Sequence, residues 1–246
     1  MKKIILPLFL LMSTLIFSQS AEEIITKAEN ILKGKTSQAT MEMTIKTSDY
    51  ERTLKMESWW VGNEKALIVI ESPRKEKGNK TLKIGNEMWA YLKNTETTIK
   101  IPPSMMLQSW NGSDFSNDDL VRESNLVRDY TQEIKGTEKL DGEDCWKVEL
   151  IPTPEATVVW GKLEYWVRKK DFLPSKIVYY DEMEEVVRYM EFTGVKSFHG
   201  KTLPSVWTMH NMVKKGNSTT IKIDDIKFDI NISDKVFSYQ ELERGN

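Results

Sequence analysis

The chain has 246 residues, 29% charged and 39% hydrophobic, with 35 basic against 37 acidic side chains and a net charge of −2. That balance leaves no basic footprint for nucleic acid, and a single cysteine, Cys145, excludes an internal disulfide framework. Beyond residue 20 no stretch approaches the roughly 20 consecutive apolar residues of a membrane span.

Residues 1–20, "MKKIILPLFLLMSTLIFSQS", run from two lysines through an apolar core to small polar residues, the layout of a secretory signal peptide. Cleavage is expected after Ser18 or after Ser20. No cysteine lies near either point to carry a lipid, so residues 21–246 are expected to be an exported, unanchored domain. In "SAEEIITKAENILK" the spacing of Ile24, Ile25, Ala28, Ile31 and Leu32 predicts one amphipathic helix. Ser20 and Glu23 are in capping-box spacing and Gly34 is the stop.

The period then changes from 3.6 to 2. Ala39, Met41, Met43 and Ile45 alternate with polar residues, as do Leu54, Met56 and Trp60, and "VGNE" turns the chain into "KALIVIES". Further strands read as "KTLKIG", "EMWAYL" with Trp89, and "TTIKIP".

From Pro102 to about Asp129 the alternation lapses. Ser116 and Asp119 have capping-box spacing, with Phe115 and Leu120 placed for a hydrophobic staple, so a helix is predicted to begin near Asn117. Ahead of it "SMMLQSW" forms a separate short piece in which Met105, Met106, Leu107 and Trp110 share an apolar face. That face either plugs the core of a β-sandwich or lies as a lid over a concave sheet, where flexible thioethers suit varied apolar ligands.

Strand signals resume at "DYTQEIKGTEKL", turn at Asp141-Gly142 and return as "CWKVELIPT", carrying Trp146 and Val148. Five more follow: "GKLEYWVRK", "PSKIVYYD", "EVVRYMEFTGV", "KTLPSVWTMHNM" and "STTIKIDDIKFDI". The sum is roughly a dozen antiparallel strands in one mainly β domain, with no Pro/Ser-rich linker to divide it.

Catalytic signatures are missing: no G-x-S-x-G, H-E-x-x-H, phosphate loop or C-x-x-C occurs. His199 in "FHGK" reads as a solvated turn residue ahead of a catalytic base, and His210 as a residue of a strand face. Asp114, Asp118 and Asp119 lack the order of a calcium loop, so no metal and no cofactor is expected.

"GNEMWAYL", "TTIKIPPSMM", "GSDFSNDDL", the "LIPTP…GKLEYWVRKKDFLPSKIVYYD" hairpin and the closing "DKVFSYQEL" together resemble the outer-membrane lipoprotein-sorting (LolA-like) family. The resemblance covers the mature chain. It implies a half-barrel of about eleven antiparallel strands, covered by helices, around a hydrophobic cavity for acyl chains, and a periplasmic, non-enzymatic carrier. Lipids or lipidated proteins would be its partners, with an inner-membrane transporter as donor and an outer-membrane acceptor. The cavity and lid would then be built from Met41, Met43, Ile45, Leu54, Met56, Trp60, Trp89, Met105, Met106, Leu107, Trp110, Phe115, Leu120, Trp146 and Val148. One departure is plain: the family's latch arginine after the Trp-Val strand end is absent from "WWVGNEK". A lipoprotein-sensing, partner-binding module of the same fold is the main alternative, ahead of a cryptic enzyme.

Overall fold

The structure, a computed structural model, describes residues 19–121, 126–156 and 159–244. Apart from Gln19 and Ser20, the expected leader lies outside them. Ser20 starts the first element: its hydroxyl accepts a hydrogen bond from the Glu23 N–H at 3.1 Å, which satisfies an N-terminal donor of helix α1, Ala21–Leu32. Ile24, Ile25 and Ala28 form its buried face. Lys33 leaves the helix in extended conformation. At Gly34 a Cβ would come within 3.0 Å of the Phe228 ring and of the Thr36 carbonyl, so the stop is enforced by close approach.

The strands are β1 Thr36–Lys46, β2 Glu51–Val61, β3 Lys65–Ser72, β4 Lys80–Ile84, β5 Glu87–Leu92 and β6 Thr97–Lys100. After the connection 101–129 come β7 Tyr130–Leu140, β8 Glu143–Pro152, β9 Lys162–Arg168, β10 Pro174–Tyr180, β11 Val186–Phe198, β12 Lys201–Asn211 and β13 Ser218–Phe228. All thirteen form one open antiparallel sheet in the order β6-β5-β4-β3-β2-β1-β13-β12-β11-β10-β9-β8-β7. Among the described residues thirteen strands stand where the family resemblance implied about eleven, and each corresponds to a strand stretch read from the sequence. Within the connection lie 3-10 turns at Pro103–Met105 and Trp110–Gly112 and helix α2, Asn117–Val121, which starts where its capping box placed it.

Strands β1 and β13 pair in the middle of the sheet, so β6 and β7, joined by residues 101–129, are its two edges. Twelve strand spacings of about 4.8 Å would put those edges roughly 58 Å apart on a flat sheet. The connection therefore has to cross the sheet. Its hydrogen bonds trace the path: Trp110 bonds to Thr81 of β4, Asn111 to Arg52 of β2, Asp114 to Thr219 of β13, and Asp119 to Arg188 of β11. Side chains from β1–β3 and from β9–β13 line one shared cavity beneath it, which requires the sheet to curve around that space.

Helix α1 covers one half of this inner face, pressing Ile24, Ile25 and Ala28 onto Val148, Leu150, Leu163, Tyr165 and Val167. The opposite face of β3–β5 is covered by the C-terminal turn Asp234–Phe237 and helix α3, Tyr239–Glu243. There Leu67, Val69, Leu82, Trp89 and Tyr91 pack on Phe237 and Leu242. The buried Lys80 ammonium donates to the Glu241 and Arg244 carbonyls, both at 2.8 Å, and fastens that end. No helix among the described residues is long and apolar enough to cross a membrane.

Candidate functional site

The cavity between sheet and connection has a volume of about 860 Å³, within the roughly 300–1,000 Å³ of typical ligand sites. Its wall follows from strand parity. On β1 and β2 the facing pairs are Ser37 with Trp60, Ala39 with Ser58, and Met41 with Met56; Ile223 and Ile221 continue the wall on β13 beside Met41 and Met43. Met209 and Trp207 of β12, Met190 and Phe192 of β11, and Ile177 and Tyr179 of β10 complete the curve. Trp110, Phe115 and Leu120 line it from the connection above. At the strand ends beyond Val61 the lining turns polar, with Asn63, Glu64 and Asn86, and this is the mouth; Arg128, Asp129 and Glu155 line the cavity at the opposite strand ends, beside the start of β7 and the end of β8.

The covering segment is held by polar contacts at defined points. Trp110 is buried and its indole N–H donates to the Thr81 hydroxyl at 3.1 Å. Ser116 and Asp119 make the reciprocal capping bonds: the Asp119 N–H donates to Ser116 Oγ at 3.1 Å, and the Ser116 N–H to the Asp119 carboxylate at 2.7 Å. The same carboxylate receives both terminal nitrogens of Arg188, at 2.8 and 2.5 Å, while Arg188 also donates to the Asp114 carbonyl at 3.1 Å. The guanidinium lies 4.3 Å from the Trp160 ring centroid and 4.6 Å from that of Tyr179. Burial alone would raise the Asp119 carboxyl; the charge and hydrogen bonds of Arg188, with those of Ser116, outweigh it and hold the group below its usual range. Tyr179, in the same apolar surroundings, is pushed up. Asp114 adds a second anchor, accepting from Thr219 Oγ1 at 2.8 Å and Asn211 Nδ2 at 3.0 Å.

A family model described as "uncharacterized protein" matches residues 62–244. The chain belongs to that family. No curated protein matches the chain in sequence. Several solved structures share its fold. A DUF1329 family protein from Desulfovibrio piger is 22% identical with a TM-score of 0.81, over 90% of this chain and 97% of its own. A domain named for outer membrane lipoprotein sorting, from Vibrio parahaemolyticus, is 24% identical with a TM-score of 0.79, over 91% and 98%. A LolA superfamily protein from Nitrosomonas europaea is 22% identical with a TM-score of 0.76, over 92% and 100%. The fold is that of the LolA superfamily.

Of the residues singled out in the sequence, Met41, Met43, Met56, Trp60, Trp110, Phe115 and Leu120 line the cavity. The others lie elsewhere, each for a local reason. Ile45 and Leu54 share the parity of the wall but sit at its far end, buried with Trp110 and Phe115 in the cluster that closes it. Trp89 is on the opposite sheet face, edge-on to the Tyr239 ring at 5.0 Å. Val148 is under α1, and Trp146 beside it stacks on Phe172 at 5.3 Å. Met106 is buried among Met88, Ile101 and Leu120, which makes it the seat of the covering segment on the sheet; Met105 is half-buried outside the lining, and Leu107 points to solvent.

Sequence reading missed Arg188, Trp160, Tyr179 and Ser58. A signal for two of them existed. In "RYMEF" Arg188 has the parity of Met190 and Phe192, and in "MESWW" Ser58 has that of Met56 and Trp60. A polar residue on an apolar face needs a partner from outside its own strand.

The histidines and the cysteine stand apart from this cavity. His199 meets Asp225 at 2.9 Å on the surface, and His210 meets Glu191 at 3.2 Å with its ring stacked on Tyr189. Cys145 is buried, which pushes its thiol pKa up, against a weaker lowering by Ser175 at 3.6 Å. Among the described residues no group of three or more His, Cys, Asp or Glu side chains is arranged to hold a metal.

Proposed function

We propose that the protein is a periplasmic carrier that takes the acyl chains of lipids or lipidated proteins into the cavity between its curved sheet and the segment crossing it. The observation that carries this reading is the cavity itself: about 860 Å³ walled by Met41, Met43, Met56, Met190, Met209 and several aromatic rings, under a segment pinned at a few polar points. Each methylene moved from water into such a space contributes about 0.8 kcal/mol, so part of one acyl chain already gives useful affinity. Methionine side chains adapt to chains of different shape. No step of chemistry is assigned to the site. The signal-like residues 1–20 fit delivery to the periplasm, where an inner-membrane transporter would be the donor and an outer-membrane protein the acceptor.

A dansyl-labelled fatty acid should gain fluorescence on titration into the protein and should be displaced by a diacyl lipopeptide. A probe that never binds delipidated, folded protein contradicts the carrier reading.

A further inference from the structure

We infer that the cavity takes its ligand in one orientation, with Ser58 donating a hydrogen bond to the carbonyl of an acyl ester; this rests on the carrier reading. Ser58 is 1% exposed, its hydroxyl has no hydrogen-bond partner among the described residues, and it lines the cavity. A buried hydroxyl without a partner is a standing cost to the fold. The strands cannot relieve it. Along β2 its neighbours on the same face are Met56 and Trp60, and the residues opposite it are Ala39 on β1 and Ile68 on β3. None of these side chains offers an acceptor oxygen, so the partner has to come from the cavity.

The lining on either side of Ser58 sets the direction of the ligand. Three residues along the strand, about 10 Å at roughly 3.4 Å per residue, separate it from Val61 and the polar mouth. In the other direction lie Met56, Met43, Trp110 and Phe115. The Asp119 carboxylate in that direction is occupied by Arg188. From the polar end past Val61, through the Ser58 hydroxyl, to the apolar side chains around Met56 and Met43, the lining follows the order of headgroup, ester and chain in a glyceride. A neutral ester carbonyl suits Ser58 better than a free carboxylate, because the side chains facing Ser58 across the strands bring no positive charge to offset a buried anion.

A matched pair isolates the carbonyl. The ester 1-monopalmitoylglycerol and the ether 1-O-hexadecylglycerol share a headgroup and a sixteen-carbon chain, and each would compete with the dansyl-labelled fatty acid. The wild-type protein should favour the ester about five-fold, the size of one net hydrogen bond. Ser58→Ala should lose that preference by weakening the ester while leaving the ether unchanged. Equal potency of ester and ether in the wild type, or a preference that survives in Ser58→Ala, overturns the assignment and leaves the carrier reading intact. Failure of the wild type to bind the probe at all overturns both.

Discussion

The inner face of the sheet has two halves with the same alternation and different contents. Under α1 the buried residues include the fully buried Ile24, Ile25, Ala28, Val148, Leu150, Tyr165 and Val167, and the buried set of that cluster contains no methionine. Around the cavity five of the chain's twelve methionines form much of the wall. β-Branched side chains hold few rotamers and pack against a fixed partner, whereas thioethers adjust to whatever fills the space beside them. Where the protein supplies its own helix to cover the sheet, the side chains are stiff. Where it leaves room, thioethers are set among the stiffer Ile177, Ile221 and Ile223.

The sharpest break in that arrangement should come at the tie between the two halves, Arg188 and Asp119. Asp119→Ala leaves a 6% exposed arginine without its carboxylate, which should cost about 3–5 kcal/mol in urea unfolding. Arg188→Met combined with Asp119→Leu should recover most of the loss. A change below about 1 kcal/mol in the single variant means that the pair is solvated and does not fasten α2. Its pH dependence has a definite sign: the Asp119 pKa is lowered in the fold, so its contribution is complete above the ordinary value of 3.8 and disappears as pH falls through the lowered one. Amide protection of residues 113–121, taken relative to the intrinsic exchange rate at each pH, should stay constant from neutral pH down to that value and fall only in stronger acid.

The next largest effect compares the halves directly. Ile25→Ala removes packed volume under α1 and should cost about 3 kcal/mol in thermal unfolding, with probe affinity within about two-fold. Met56→Ala, at a wall that already has open space on one side, should cost about half as much stability and weaken the probe several-fold. Equal melts and equal affinities for the two variants erase the distinction between a filled and an accommodating half.

The smallest effect belongs to the capping box. Ser116→Ala should cost about 1 kcal/mol of local helix stability, visible as faster amide exchange in α2, with binding only slightly weaker. Unchanged exchange means that the Arg188 tie alone positions the helix.

Most of the fold was legible because periods and caps are local. The change from 3.6 to 2 after Gly34, the Ser20–Glu23 and Ser116–Asp119 boxes and the turn residues between strands all depend on residues a few positions apart. The site was legible only where parity sufficed, as in Met41, Met43, Met56 and Trp60. Parity alone does not say which side of a sheet has the cavity, so Trp89 was grouped with residues that it faces away from. Nor does an apolar run say which of its members seats the segment: Met106 is packed on Met88, while Leu107, the next residue, is 63% exposed. The Arg188–Asp119 tie joins residues 69 positions apart, and no local pattern pairs them.

Mass spectrometry of the organic extract from natively purified protein tests the central claim most directly. The account predicts an acyl-bearing lipid at about one molecule per chain, replaceable by the dansyl-labelled fatty acid after delipidation. An extract without lipid, from folded protein that also refuses the probe, contradicts it.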